Sequence, residues 1–314
     1  MLVVTLRSVI EELKPLGQGQ TEIILVDNSD TSLYKLLQDA IPGGYIQDGT
    51  IKVFRQEFPC IFTARDLAVE KASGKYIACV DGHMLIGNDM FVDLFNFMES
   101  KDDDPTLGFA HAPINWLHQH ESRARHDRDM STCELGDWGL AYETPRTITW
   151  KGMPWICRKT LWEEIGGYGA LSQHKISWGG GDMHIGIKPW MLGFKNWAVP
   201  TSPGIHIGPF PNEETRPKAP ITARDRYRVY STSGTTPHSF GFLVSCYVLG
   251  GEEMIDRNRE AITRRFSSDL FLPEWIAKAI EYGKDEKAWL DDRKITSFEN
   301  LLGENPWDYA SQSL

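Results

Sequence analysis

Cysteine is scarce in this chain and follows no recognisable pattern. The 314 residues include five cysteines, and their spacing matches neither a disulfide framework nor a set of zinc ligands. An odd number of scattered thiols favours a reducing compartment. The five are Cys60, Cys79, Cys133, Cys157 and Cys246.

Long apolar runs and an excess of positive charge are also missing. No stretch approaches the ~20 apolar residues that a membrane-spanning helix needs. The first residues, MLVVTLRSVIEELK, have no basic region and no small-residue cleavage site, so we expect no signal peptide. The formal net charge of −10 argues against a general nucleic-acid-binding protein.

Strand-like and helix-like segments alternate over residues 1–112. The segments EIILVD, IKVFRQ and KYIACVD are typical of strands, whereas TLRSVIEELK and FTARDLAVEKA are typical of helices. Such an order predicts an α/β fold with a mostly parallel central sheet flanked by helices. Residues 209–314 add a Pro-rich, charged connector and then further helical patterns, which predict a helical C-terminal extension.

A carboxylate and an imidazole follow the apolar run YIACV, which has the pattern of a strand buried on both faces. Asp81 and His83 are two positions apart, so on a strand both side chains would point to the same side. An oxygen and an imidazole nitrogen together suit Mn²⁺ or a similar divalent ion. The alternative is a simple strand-end turn, in which Asp81 bonds nearby backbone N–H groups.

A Gly-rich segment, ISWGGGDMHIG, joins an aromatic residue to a carboxylate. Gly179, Gly180 and Gly181 allow close backbone approach to a ligand, and Trp178 can offer an aromatic face in a sugar pocket. Asp182 lies at the start of the helix that follows, where an Asp is also a common N-cap.

A third feature is PGIHIG, in which His206 ends a short strand. A histidine on an apolar strand can be an ordinary core residue. It can also return to the same sheet edge as Asp81 and His83 and complete a three-ligand metal site.

These segments, in this order, resemble GT-A glycosyltransferases of family 2, and most of all the polypeptide N-acetylgalactosaminyltransferases. The likeness runs from about Thr5 to Gly208. It implies a GT-A domain over residues 1–208, with a nucleotide-binding part over 1–112 and an acceptor-side part over 113–208. It also implies an enzyme that transfers a hexose from a nucleotide-sugar donor, with a UDP-sugar expected. Residues 209–314 would then form a lid loop and the helical extension.

The resemblance also implies roles for particular residues. Asp81, His83 and His206 would hold Mn²⁺ or Mg²⁺, and Asp81 would thereby contact the donor diphosphate. Asp27, at the end of ILVD, would contact the nucleotide base, and Arg65 would lie near the donor.

Two departures from the family pattern stand out. The polypeptide transferases have WGGEN, whereas this chain has WGGGD, which places Asp182 where inverting GT-A enzymes have their catalytic base. We therefore expect inversion with Asp182 as base, and keep a retaining mechanism as the alternative. The strand that normally precedes the helix matched by TLRSVIEEL is missing or reduced to a few residues.

Other readings remain open at this stage. A sugar-1-phosphate nucleotidyltransferase would need a Gly-rich phosphate loop near the start, which the sequence does not have. A sugar-nucleotide-binding domain without transfer activity would not need the three metal-type residues. The acceptor could be a polysaccharide, a protein, a small molecule or a modified nucleic-acid base. The scarcity of cysteine suggests a cytoplasmic enzyme of bacterial or viral origin.

Overall fold

A computed structural model gives the fold of most of the chain. It describes residues 1–17, 19–28, 33–41, 44–58, 60–116, 124–125, 138–139, 146–147, 152–176, 178–207, 236–265, 268–297 and 300. The expected lid, at residues 214–230, lies outside the described residues, as do most of the residues in the basic stretch 123–128.

Helices and strands alternate through the first part of the chain, as the sequence predicts. The elements are α1 Leu2–Leu13, β1 Ile23–Asp27, α2 Tyr34–Ala40, β2 Ile51–Arg55, α3 Ile61–Lys71, β3 Tyr76–Cys79, β4 Met84–Leu85, α4 Met90–Ser100, β5 Leu107–His111 and β6 Ile114–Trp116.

The later part contains short strands followed by longer helices. The remaining elements are β7 Ala124–Arg125, β8 Trp138–Gly139, β9 Arg146–Thr147, β10 Trp155–Arg158, α5 Lys159–Glu164, α6 Gly169–Gln173, α7 Gly181–Met191, β11 Lys195–Ala198, β12 Gly204–His206, α8 Gly241–Arg257, α9 Arg259–Arg265 and α10 Pro273–Arg293.

Local sequence explains how several of these elements form. In α1, Leu6, Val9 and Ile10 are buried on one face, which is the spacing of an amphipathic helix. All five residues of β5 are buried, as expected of a central strand covered on both faces. The longest helix, α10, begins with Pro273, whose missing N–H is not needed in the first turn.

The strands pair in a mixed pattern. The largest sheet has the order β3-β10-β5-β11-β9, in which β5 and β11 are parallel while β10 is antiparallel to both β3 and β5. The pair β1–β2 is parallel. A third set has the order β4-β12-β6, with β12 antiparallel to β4 and parallel to β6. The α/β class with a helical C-terminal region is confirmed, although β10 makes the largest sheet less parallel than expected.

The expectation that β3 is buried on both faces is wrong. Ala78 is exposed, and Tyr76, Ile77 and Cys79 are only half-buried. The reason is that β3 lies at the edge of its sheet and hydrogen-bonds, within the described residues, to β10 on one side. In the same described part of the chain, β1 and β2 form a separate hydrogen-bonded pair.

One part of the core lies between the largest sheet and helices α5 and α7. Trp155 of β10 stacks on Trp162 of α5, with ring centroids 5.3 Å apart and planes inclined by 16°. Asn196 of β11 is fully buried and joins two layers, since its amide accepts a hydrogen bond from Phe109 N and donates one to Gly186 O of α7. These contacts fix α7 against the sheet.

Candidate active site

Two histidines and an aspartate meet where the turn between β3 and β4 lies beside β12, and we call Asp81, His83 and His206 the strand-end cluster. The Nε2 atoms of His83 and His206 are 2.8 Å apart, and their rings are nearly perpendicular at 86°. Asp81 Oδ2 lies 3.9 Å from His206 Nε2. One ligand atom from each residue lies within 4.8 Å of the others, so all three can reach one ion.

Strand pairing, rather than alternation along one strand, brings the cluster together. Asp81 and His83 lie in the turn between β3 and β4, not on a strand as the sequence suggested. His206 is paired with Met84 across β4 and β12, and Ile207 N donates to His83 O at 2.8 Å. The close crossing requires Gly204, because a Cβ atom there would lie 2.7 Å from the Met84 side chain.

The electrostatics of the cluster suit metal binding. Burial lowers the pKa of His206, the nearby His83 lowers it further, and Asp81 opposes both effects. Since a metal binds the neutral imidazole, a lowered pKa keeps His206 ready to act as a ligand at neutral pH.

Arg65 orients the carboxylate of the cluster. Its Nη2 donates to Asp81 Oδ1 at 3.0 Å, and its Nη1 donates to the Tyr168 hydroxyl at 2.8 Å. Burial opposes the charge of Arg65, but the pKa is raised overall by Tyr168, Cys79, Asp81 and also Asp182. Arg65 therefore remains a cation beside the cluster, and it holds one Asp81 oxygen while the other faces His206.

Tyr168 was not singled out from the sequence. Its ring is fully buried and packs 4.9 Å from Phe62, with its hydroxyl directed to Arg65. Burial is also the main reason that the pKa of Tyr168 is raised. The sequence signal, a tyrosine after the turn glycines of EEIGGY, was too common to identify its role.

Asp27 ends β1 and is almost completely buried. Its Oδ2 accepts a hydrogen bond from Leu33 N at 3.0 Å and pairs with Arg55 Nη1 at 3.2 Å. A nucleotide base that binds here would approach a carboxylate already oriented by a cation.

Asp182 lies in the first turn of α7, whose N-cap residue is Gly180. The helix has no side-chain cap hydrogen bond, so Asp182 is not its N-cap. Instead, Asp182 Oδ2 accepts a hydrogen bond from Gly152 N at 2.8 Å. The carboxylate is thus held by the segment that leads into β10.

The three glycines before Asp182 closely approach other parts of the chain. A Cβ atom on Gly179 would lie 2.9 Å from the Phe242 ring, and one on Gly180 would lie 2.6 Å from Ser245 Oγ. A Cβ atom on Gly181 would lie close to Phe62. The physical reason is that α3 and α8 pack directly on this loop.

Trp178 remains at the surface beside that loop. Its side chain is 36% exposed, and its ring meets Phe242 of α8 edge to face at 5.7 Å. The backbone supports the same contact, since Gly241 N donates to Trp178 O at 3.3 Å. The exposed indole face can therefore serve a ligand near the start of α7.

Comparisons with known proteins agree with this architecture. A crystal structure of GalNAc-T7 with UDP, GalNAc and Mn²⁺ superposes with a TM-score of 0.63 at 20% identity, covering 98% of this chain and 55% of that one. The chain therefore spans about half the length of that protein, and it has the GT-A fold.

The sequence model of glycosyl transferase family 2 matches residues 1–145. Those residues make up somewhat less than half of the chain, and over them the chain is similar to glycosyl transferase family 2. No curated protein matches it in sequence.

Two other solved structures are more distant. S. aureus TarS with UDP-GlcNAc has a TM-score of 0.47 at 13% identity, covering 96% of this chain and 82% of that one. The mannosyltransferase PcManGT from Pyrobaculum calidifontis, with GDP-Man and Mn²⁺, has a TM-score of 0.44 at 12% identity, covering 90% and 84%. These scores are too low to bear on the site. Within the described residues, no helix is long and apolar enough to cross a membrane.

Proposed function

We propose that the chain moves a sugar from a nucleoside diphosphate sugar, with a UDP-sugar expected, to an acceptor hydroxyl in a divalent-metal-dependent reaction that inverts the anomeric carbon. The observation that carries this proposal is the strand-end cluster, whose ligand atoms lie within 4.8 Å of one another. The glycosyltransferase fold supplies the reaction class, and the cluster supplies the reason for a metal.

The residues of the cluster fit Mn²⁺ or Mg²⁺. One carboxylate oxygen and two imidazole nitrogens form a donor set that such ions accept. Two ligands at right angles around an ion with ~2.1 Å bonds lie about 3 Å apart. The 2.8 Å separation of the two histidine Nε2 atoms is close to that value. When bound, the ion would offset the charge that develops on the departing diphosphate.

Arg65 and Asp27 support binding of the donor. The buried guanidinium of Arg65 carries a positive charge beside Asp81, where a diphosphate would need one. Asp27 offers an acceptor for a base N–H, which favours uracil, and Arg55 and Leu33 already hold it in place.

Asp182 is the proposed general base. The hydrogen bond from Gly152 N favours the charged form of the carboxylate, which is the form that can take a proton. As the acceptor oxygen bonds to the anomeric carbon, the bond to the diphosphate oxygen breaks and the acceptor proton passes to Asp182. Trp178 would provide the apolar side of the acceptor or sugar pocket.

The first experiment identifies the donor and the stereochemistry. A panel of nucleotide sugars is incubated with the protein with and without Mn²⁺, and release of the nucleoside diphosphate is measured. We expect Mn²⁺-dependent release from a UDP-sugar and a product of inverted configuration by NMR. A retained configuration would exclude Asp182 as an inverting base, and metal-independent release would remove the role of the strand-end cluster.

The matched substitution is Asp182→Asn, which keeps size but removes the basic oxygen. Transfer should fall by ~10²–10⁴-fold, the usual contribution of general-base catalysis, while UDP and Mn²⁺ binding stay near wild type. The control is Asp256→Asn, at an exposed carboxylate that pairs with a surface arginine of the same helical region. Near-normal transfer by Asp182→Asn would show that Asp182 is not the base and has only a structural role.

A further inference from the structure

A second group of ionisable side chains lies outside the candidate active site, and we call His184, Lys188 and Glu286 the buried cluster. Glu286 Oε1 lies 2.7 Å from Lys188 Nζ and 2.9 Å from His184 Nε2. The side chains of His184 and Lys188 are fully buried, and that of Glu286 is 11% exposed. The cluster joins α7 to α10, which is about 100 residues further along the chain.

The buried cluster also holds the backbone around α6. Glu286 Oε2 accepts a hydrogen bond from Ala170 N at 2.6 Å, and Lys188 Nζ donates to Gly167 O at 2.7 Å. The carboxylate fits so closely that a Cβ atom on Gly169 would collide with it. One carboxylate from α10 therefore connects two side chains of α7 to the start of α6.

The charges of the buried cluster balance. Burial alone would raise the pKa of Glu286, but the neighbouring His184 and Lys188 outweigh burial and lower it strongly. Burial lowers the pKa of His184, which favours the neutral imidazole. Glu286 is therefore held as an anion against the Lys188 ammonium, and the buried Asp66 carboxyl, whose pKa burial raises, also interacts electrostatically with Lys188.

The helix that the buried cluster holds is the helix that carries Asp182. With a rise of ~1.5 Å per residue, His184 lies about 3 Å along the helix axis from Asp182, and Lys188 lies about 9 Å away. The start of α7 is held separately, because Ser245 Oγ of α8 donates to Gly180 O at 3.2 Å. A shift of α7 along its axis would have to break both connections.

We propose that Glu286 is a positioning residue, which sets the place of Asp182 in the active site by fixing α7 through Lys188, His184 and the backbone of α6. This rests on the proposed role of Asp182 as base. Because a misplacement of about 1 Å can cost orders of magnitude in rate, a remote carboxylate can control turnover without touching the substrate.

The main test compares Glu286→Gln with Asp291→Asn. Asp291 is an exposed carboxylate on α10 that pairs with Lys287 and Lys294 of the same helical region, so it is a matched control. In Glu286→Gln we expect turnover to fall on the order of 10-fold at a temperature well below unfolding. The Kd for UDP with Mn²⁺ should change less than turnover, because Asp81 and His206 lie on elements outside the buried cluster, while Arg65 is linked to it only indirectly, through Tyr168. Asp291→Asn should match wild type in turnover and in the Kd for UDP with Mn²⁺.

Hydrogen exchange gives a readout that does not depend on turnover. Backbone amides over residues 181–188 should exchange faster in Glu286→Gln than in wild type, while those of β5 should not change. Unchanged exchange in α7 together with normal turnover would overturn the proposal. If wild-type protein transfers no sugar from any donor, the proposed function fails, while the exchange comparison still tests whether Glu286 positions α7.

A double variant separates positioning from stability. Replacing a buried ion pair by apolar residues is often neutral or stabilising, so Lys188→Met with Glu286→Leu should restore the melting temperature even if Glu286→Gln unfolds easily. The double variant still lacks the hydrogen bond to Ala170 N, and we expect its turnover to stay at least fivefold below wild type. Recovery of wild-type turnover together with stability would show that the pair only stabilises the fold, and would overturn the proposal.

Discussion

The strand-end cluster and the buried cluster share one pair of chemical groups in different settings. Each has a carboxylate next to an imidazole, at 3.9 Å in the first and 2.9 Å in the second. In the strand-end cluster the Asp81 and His206 side chains are 19% and 15% exposed, whereas both partners of Glu286 in the buried cluster are fully covered. Solvent access therefore separates the two.

The position of the nearest cation explains what each cluster can do. In the buried cluster Lys188 points its ammonium at the same oxygen that faces His184, so the protein supplies the counter-charge itself. In the strand-end cluster Arg65 binds Asp81 Oδ1, while Oδ2 is the oxygen nearest His206. An ion can bind at that side without displacing Arg65. A carboxylate–histidine pair thus predicts a ligand site only when no side-chain cation already occupies the shared oxygen.

The largest expected difference between the clusters is in catalysis. Asp81→Ala removes the oxygen ligand and should lower transfer by about 10³-fold or more, because a metal contributes several kcal/mol to stabilising the leaving group. The melting temperature should fall moderately, since Arg65 loses its carboxylate partner while the Asp81 side chain itself is partly exposed. Calorimetry with Mn²⁺ checks the loss of metal binding directly. If Asp81→Ala binds Mn²⁺ like wild type, the strand-end cluster is not the metal site.

The buried cluster should respond in the opposite way. Lys188→Met leaves Glu286 buried without its cation, and breaking such a pair typically costs about 3–5 kcal/mol. Urea unfolding at neutral pH measures this loss, with Lys284→Met at an exposed position of α10 as the control. A cost below about 1 kcal/mol would mean that water reaches Glu286 and that the cluster is not closed.

The glycine loop beside Asp182 allows a sharper steric comparison. Gly166 and Gly180 share a φ of +71°, but a Cβ atom on Gly166 meets nothing within 4 Å, whereas one on Gly180 meets Ser245 and Gly241. Gly166→Ala should cost roughly 1 kcal/mol for the left-handed conformation, and Gly180→Ala roughly 2–4 kcal/mol, because overpacking adds to it. Equal costs would contradict the close packing of α8 on this loop.

The smallest expected effect is a difference in acid sensitivity. The pKa of Glu286 is lowered from 4.5, so the folded state resists protonation that the unfolded state accepts. The stability from this group is therefore present above about pH 4.5 and is lost as the pH falls below it, by at most about 1.4 kcal/mol per pH unit. Unfolding of Glu286→Gln should depend less steeply on pH between 5 and 3. Parallel curves would contradict the charge assignment.

Sequence reasoning was correct about which residues the fold brings together at the ends of strands. Asp81, His83 and His206 could be selected because each ends a strand-like run, and strand pairing then brings such ends together. It failed where the packing of distant segments decides the order of the strands and the burial of their faces. The antiparallel position of β10 and the exposed edge of β3 depend on which strands meet in the folded sheet, which no periodicity records.

The buried cluster is a clearer example of contacts that sequence patterns do not reveal. Lys188 looks like an ordinary charged residue of an amphipathic helix, and Glu286 lies in a strongly charged helix where most carboxylates are exposed. Their contact spans 98 residues of sequence. The glycines of WGGG were noticed for a different reason. Their motif suggested a ligand, and it gave no sign that Phe242, Ser245 and Phe62 pack against them.

The contact between α10 and α7 limits where the chain could be shortened. A fragment that ends at residue 208 would keep the strand-end cluster and Asp182, and by motif it would look complete. It would also leave the Lys188 ammonium in the interior without the Glu286 carboxylate, and would uncover the loop on which α8 packs. A gene fusion or a shortened reading frame could therefore not remove the helical extension without damage, because the extension supplies part of the interior of residues 1–208.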